Sequence, residues 1–121
     1  MNEPHRREAC PQISKFLTRL ADKWSVMVLM MLNQKRQRFS ELRREIRGIS
    51  PRMLTLTLRN LERDGLVRRL VTPSTPPRVD YELTDLGRSM CDPVQALGGW
   101  VIENLATIDA SRSAFDRDKT S

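Results

Sequence analysis

The stretch GISPRMLTLTLRNLERDG, residues 48–65, carries both a start and a stop signal for a helix, and it constrains the fold more than any other part of the chain. Ser50 is a strong N-cap, because its hydroxyl can accept from an otherwise unpaired backbone N–H. Pro51 follows at the first helical position, where a missing donor costs nothing, and Gly65 supplies the left-handed conformation that closes a C-terminus. At about 100° per residue, Leu54, Leu58 and Leu61 form one apolar stripe that a globular domain turns into its core. The other face gathers Arg52, Thr55, Leu56, Arg59 and Arg63, and carries an aliphatic side chain that a solvated helix does not need. Taken alone, this pattern also fits an exposed amphipathic helix with ordinary surface arginines. The flanking sequence decides between the two.

A chain of 121 residues suffices for one domain with a core. Its net charge of +6 and isoelectric point near 10.1 call for a polyanionic partner, nucleic acid or an anionic membrane surface. No apolar run reaches the roughly 18 residues of a membrane span, and MNEPHRREACPQ lacks the apolar segment of a signal peptide. A cytoplasmic protein is expected. Cys10 and Cys91 stand far apart with no CxxC and no nearby histidine, and His5 has no evident partner, so no metal site is expected. With no glycine-rich phosphate loop and no nucleophile signature, neither an enzyme nor a cofactor is expected.

Residues 1–9 read as a flexible arm. Over residues 10–21, Ile13, Phe16, Leu17 and Leu20 recur at helical spacing behind Pro11, which suits a first turn. KWSVMVLMML is apolar on every side but too short to cross a bilayer, so it fits a helix surrounded by its own protein, with Trp24 anchoring the core. Residues 33–38 read as a polar turn. Phe39 then tucks inward, Ser40 caps the short helix SELRREI, and Leu42 and Ile46 face the core. Arg43, Arg44 and Arg47 stay outside, and GIS leads directly into the helix above. Two helices joined by a tight glycine-containing turn make a helix-turn-helix, whose second helix can enter a DNA major groove. The arginines of the first, Arg43 among them, are placed for phosphates.

Beyond Gly65 the periodicity becomes strand-like. Residues 66–71 and 78–83 are rich in Val, Leu and Tyr and bracket TPSTPP, a turn too long for a tight hairpin. Arg68, Arg69 and Arg78 put positive charge on this projection. The expected fold class is therefore mainly α with a small β-hairpin wing, a winged helix-turn-helix.

The segments KWSVMVLMML, RFSELRREIRGISPRMLTLTLRNLERDGLVRR and PPRVDYELTDLGRSM resemble the HxlR family of bacterial winged-helix regulators, relatives in fold of the MarR group. The likeness covers most of residues 10–105. It implies a homodimeric, sequence-specific transcription regulator bound to double-stranded DNA at an inverted repeat, with repression the expected mode. Oxidants, electrophiles or a small-molecule inducer are the implied signals. The implied DNA contacts are Ser50, Arg52, Thr55, Leu56, Arg59 and Arg63 of the recognition helix, Arg43 before it, and Arg68, Arg69 and Arg78 of the wing. Asp22 stands where the family usually has glycine. Leu56 replaces a polar residue of many relatives and can address only a thymine methyl or a sugar. A winged-helix module that binds protein or RNA is the alternative, though it has no need to concentrate arginines on this face.

In the last third, Thr84 can cap a helix in which Leu86, Met90, Val94, Leu97, Val101, Leu105 and Ile108 recur at three- and four-residue steps. That stripe is too long for a small domain to cover, and Trp100 lies at its edge, where aromatics favour interfaces. With the resemblance added, dimerisation is expected through Ile13, Leu17, Leu20, Val94, Leu97, Trp100, Val101 and Leu105, the N- and C-terminal helices. Pro93 should interrupt the last helix. The domain is expected over residues 10–110, with a frayed tail over residues 111–121. Cys10, at an expected helix start beside Arg6 and Arg7, is the candidate redox or electrophile sensor, supported by family members that use a cysteine there. The alternative is a small apolar residue at a helix end.

Overall fold

The computed structural model describes residues 3–120; Met1, Asn2, Ser121 and the side chains of residues 3–9 and of Thr120 lie outside that description. Helix α1 (Glu3–Leu20) leads into α2 (Lys23–Gln34), followed by β1 (Gln37–Arg38), α3 (Phe39–Glu45) and α4 (Pro51–Arg63). Strands β2 (Val67–Thr72) and β3 (Arg78–Leu83) come next, and α5 (Asp85–Thr120) ends the chain. The sheet is antiparallel with order β1-β3-β2.

Helix α2 is the central strut, packed against α4, α5 and β3. Its buried residues Ser25, Val28, Leu29 and Leu32 recur at three- and four-residue steps on one face, while Met30 and Met31 are partly covered and Met27 is exposed, so the helix is not enclosed on every side as its composition suggested. Leu42 and Ile46 of the α3 region, Leu54, Leu58 and Leu61 of α4, and Leu66, Val67 and Leu83 of the hairpin complete the core, with Trp24 packed against it. Full burial of one leucine is worth about 1.5–3 kcal/mol, so the three α4 leucines together hold that helix to the domain by several kcal/mol.

The expected turn at residues 33–38 is instead the end of α2 and a short third strand, because Gln37 and Arg38 pair with Tyr81 and Asp80. The same pairing keeps Arg38 extended and moves the cap of α3 back two residues. Arg38, not Ser40, holds the cap position, and its N–H donates to Glu41 Oε1 at 3.1 Å. An arginine has no acceptor to return that bond. Gln37 is buried and its Nε2 donates to the Met31 carbonyl at 3.0 Å, tying the strand to α2.

Both proline expectations need correction. Helix α1 runs through Pro11 from Glu3, so the expected arm is helical from that residue on. Helix α5 runs through Pro93 without interruption and includes the expected tail as far as Thr120. A proline removes one backbone bond, and the turns on either side keep theirs, so a helix of 36 residues, about 54 Å long, absorbs it. Thr84 does cap α5: its hydroxyl oxygen accepts from the Gly87 N–H at 3.0 Å while donating to the Gly65 carbonyl at 2.6 Å. Asp22 has φ −57°, so this position has no requirement for glycine.

Candidate nucleic-acid interface

Local chemistry fixes α4 at both ends. Ser50 is extended, and its Oγ accepts from the Met53 N–H at 3.0 Å, with Pro51 opening the helix. At the other end Gly65 takes φ +79°. Its N–H donates to the Glu62 carbonyl, and that of Leu66 donates to the Leu61 carbonyl, at 3.0 and 2.9 Å. These are the paired bonds of a Schellman close, and Leu61 and Leu66, both buried, supply its apolar contact. Gly48, at φ +86°, turns the chain between α3 and α4. The second helix of the helix-turn-helix is therefore held rigidly, with Leu54, Thr57, Leu58 and Leu61 inside.

Its outer face is open. Arg52, Thr55, Leu56, Arg59 and Arg63 are all exposed, and Leu56 shows 52% of its surface to solvent. Pro51, Arg52, Thr55, Leu56 and Arg59 line a shallow depression along the helix. Among the described residues no acidic side chain pairs with Arg52, Arg59 or Arg63. Thr55 spends its proton on the Pro51 carbonyl at 2.9 Å, so its oxygen can still accept from a base or sugar. The Ser50 hydroxyl oxygen is engaged in the cap, which makes its first role structural. Arg43 lies beside Arg44 in a second depression with Phe39 and Ser40.

The three wing arginines differ. Arg68 donates to Glu82 Oε1 at 2.9 Å across the β2–β3 register. Arg78 donates through Nε and an Nη to the two carboxylate oxygens of buried Asp80, at 3.0 and 3.4 Å. That hydrogen bond and the charge of Asp80 raise the Arg78 pKa further, so Arg78 stays cationic while its carboxylate partner offsets its charge. Arg69 has no acidic partner among the described residues and faces α4 across a cavity of about 410 Å³. Sequence reasoning assigned no role to Asp80 or Glu82. The signal was present: Arg78, Asp80 and Glu82 alternate along one strand, so all three share a face.

The proposed dimer residues divide. Ile13, Leu17, Leu97, Trp100, Val101 and Leu105 are exposed, and Val94 is partly covered. Leu20 is a correction: it is only 6% exposed and packs inside the protomer, where it anchors α1 to the core. Phe16, Ile102 and Phe115 are exposed apolar residues outside the expected set.

Cys10 is exposed, but it sits inside α1 and not at its start. The argument from a helix N-terminus therefore does not apply, since that field fades within the first turn. Arg6 and Arg7 have side chains outside the described residues. Cys91 is buried, its thiol donates to the Gly87 carbonyl at 3.6 Å, and burial pushes its pKa up. No group of His, Cys, Asp and Glu among the described residues could hold a metal ion, and no helix is long and apolar enough to cross a membrane.

A capped, cationic second helix beside a three-stranded wing defines the winged helix-turn-helix class of transcription regulators. Residues 19–109 match the family model of the HxlR-like helix-turn-helix, and the chain belongs to that family. The regulator YtfH of Escherichia coli (strain K12), described as an uncharacterized HTH-type transcriptional regulator, is 40% identical over 105 residues, 87% of this chain and 82% of YtfH. The redox regulator HypR in its reduced form superposes with a TM-score of 0.75 at 34% identity, covering 82% of this chain and 98% of HypR. Diamide-treated YodB from B. subtilis gives 0.69 at 31% identity, covering 78% and 93%. The chain is a transcriptional regulator with a helix-turn-helix domain.

Proposed function

We propose that the protein is a sequence-specific repressor that binds double-stranded DNA as a homodimer in the cytoplasm, with α4 in the major groove. The observation that carries this reading is the outer face of α4, capped at both ends and solvent-open, with three arginines that form no ion pair among the described residues. The exposed apolar residues of α1 and α5 support a second copy as the partner that covers them. Twofold symmetry would place two α4 helices on an inverted repeat, with half-sites about one helical turn or a multiple apart. Repression is the mode proposed, on the ground that a dimer seated across a promoter would exclude polymerase. Titration of a selected operator with wild type and Arg52→Ala tests the reading, with a cost of roughly 1–3 kcal/mol and relaxed choice at one base position expected. Equal binding by a correctly folded variant would refute it.

The signal we propose is oxidative, with Cys10 as the responding thiol. The similarity to HypR, named a redox regulator, and to YodB, whose structure was obtained after diamide treatment, supports it, as does the exposure of Cys10. Diamide takes two electrons and two protons from Cys10 and a second thiol, becoming a hydrazine and leaving a disulfide; with Cys91 buried, that second thiol is Cys10 of the other copy or a low-molecular-weight thiol. Treated wild type should lose operator binding and regain it with a reducing thiol, while Cys10→Ser should be indifferent. A serine variant that responds like wild type would remove Cys10 from the account.

A further inference from the structure

We infer that the groove between α4 and the wing seats the sugar-phosphate backbone of one DNA strand, gripped between Arg59 and Arg69, and that Glu62 in its wall weakens this grip. The inference rests on the reading of α4 as the helix that enters the major groove. Thr55, Leu58, Arg59 and Glu62 form one side of the groove, and Arg69 and Tyr81 the other. Arg69 and Tyr81 are direct cross-strand partners, so they stand side by side on the hairpin face turned toward α4. Arg68 is the neighbour of Arg69 in the strand and projects to the opposite face, where Glu82 holds it.

Charge separates the wing arginines further. Arg68 and Arg78 already have carboxylate partners at 2.9 and 3.0 Å. Arg59 and Arg69 have none among the described residues, although Glu62 stands in the same wall. Two guanidiniums facing one open groove gain strong charge-assisted hydrogen bonds only when an oxyanion enters. The shape favours a strand over a small anion. Thr55 and Arg59 also border the depression lined by Pro51, Arg52 and Leu56, so the two hollows adjoin along one track on the helix surface. A phosphodiester chain bordering the major groove fills such a track, and a single phosphate does not. Glu62 presents like charge to that strand, which costs affinity without altering which bases are read.

The test is operator binding across a salt series for wild type, Arg69→Ala, Arg68→Ala, Glu62→Gln and Arg52→Ala, with an unrelated duplex alongside. Arg69→Ala should weaken both duplexes on the order of tenfold and lower the salt slope by about 0.9. Arg68→Ala should stay close to wild type. Glu62→Gln should bind both duplexes more tightly, a gain that misfolding cannot imitate. Arg68→Ala as harmful as Arg69→Ala, or Glu62→Gln without effect, would overturn the inference. If Arg52→Ala still loses specificity in that case, the α4 reading survives. If Arg52→Ala is also silent, the α4 reading itself falls. Displacement of DNA by inorganic phosphate beyond that caused by chloride at equal ionic strength would assign the groove to a free anion and also overturn the inference.

Discussion

Arg19 donates from one Nη to both carboxylate oxygens of Asp64, at 2.9 and 3.2 Å, and so ties the helix that carries Cys10 to the residue that ends the recognition helix. Asp64 sits at the C-cap of α4, where the partial charge of the helix end is negative and a carboxylate is unfavourable. Arg19 supplies the opposing charge. Among the described residues it is also the one ion pair between α1 and the DNA-binding unit.

This pairing gives a first prediction. Arg19 is 42% exposed along its side chain, so Arg19→Ala should cost no more than about 1 kcal/mol in urea denaturation. Adding Asp64→Asn should restore part of the loss, because the unfavourable charge at the helix end goes with it. A double variant less stable than Arg19→Ala alone would show that Asp64 has another partner in the fold.

The second prediction concerns Gly87. A Cβ at this position would run into the Leu66 carbonyl oxygen and press on Leu83, at the junction of wing and α5. Gly87→Ala must therefore shift backbone, and thermal melting should show a loss of roughly 1–3 kcal/mol. Gly99→Ala, in the same helix with open space around it and off the stripe of Val94, Val101 and Leu105, should be neutral or stabilising. Equal effects of the two would contradict the packing described at Leu66.

Much of this arrangement was legible in residues 48–65. Ser50, Pro51 and Gly65 each perform the task their chemistry suggested, and Leu54, Leu58 and Leu61 are all in the core. The hairpin was legible from its alternation, although β1 was not: two residues carry no periodicity, and Gln37 is polar yet buried. The prolines misled for a physical reason. Pro11 and Pro93 carry the local signature of a helix boundary, but long helices override a single lost bond. Leu20 shares its spacing with Ile13 and Leu17, but it lies at the end of α1, where the chain turns into α2, and it alone of the three is buried in the protomer. The pairing of Arg68 with Glu82 and of Arg78 with Asp80 was not legible, because a sequence lists arginines and does not show which of them meets a carboxylate in the folded hairpin.

The third prediction follows from the two thiols. Cys10 is exposed and should react with a maleimide in the native protein, whereas Cys91 should react only after unfolding. Burial raises the Cys91 pKa above the ordinary 9.0, so the unfolded chain releases that proton first. Its contribution to stability is complete below the ordinary value and is lost as pH rises toward the folded one. Urea midpoints should therefore fall above pH 9 more steeply for wild type than for Cys91→Ala. Parallel curves, or native labelling of Cys91, would contradict its burial.

The central claim is that two copies of α4 read DNA through the face centred on Arg52 and Arg59. Selection of bound sites from random duplex DNA, run in parallel with wild type and Arg52→Ala, tests it most directly. Wild type should enrich an inverted repeat with half-sites about one helical turn or a multiple apart, and Arg52→Ala should lose preference at one symmetric pair of positions. Enrichment of a direct repeat, or the same sequence selected equally well by both proteins, would contradict the account.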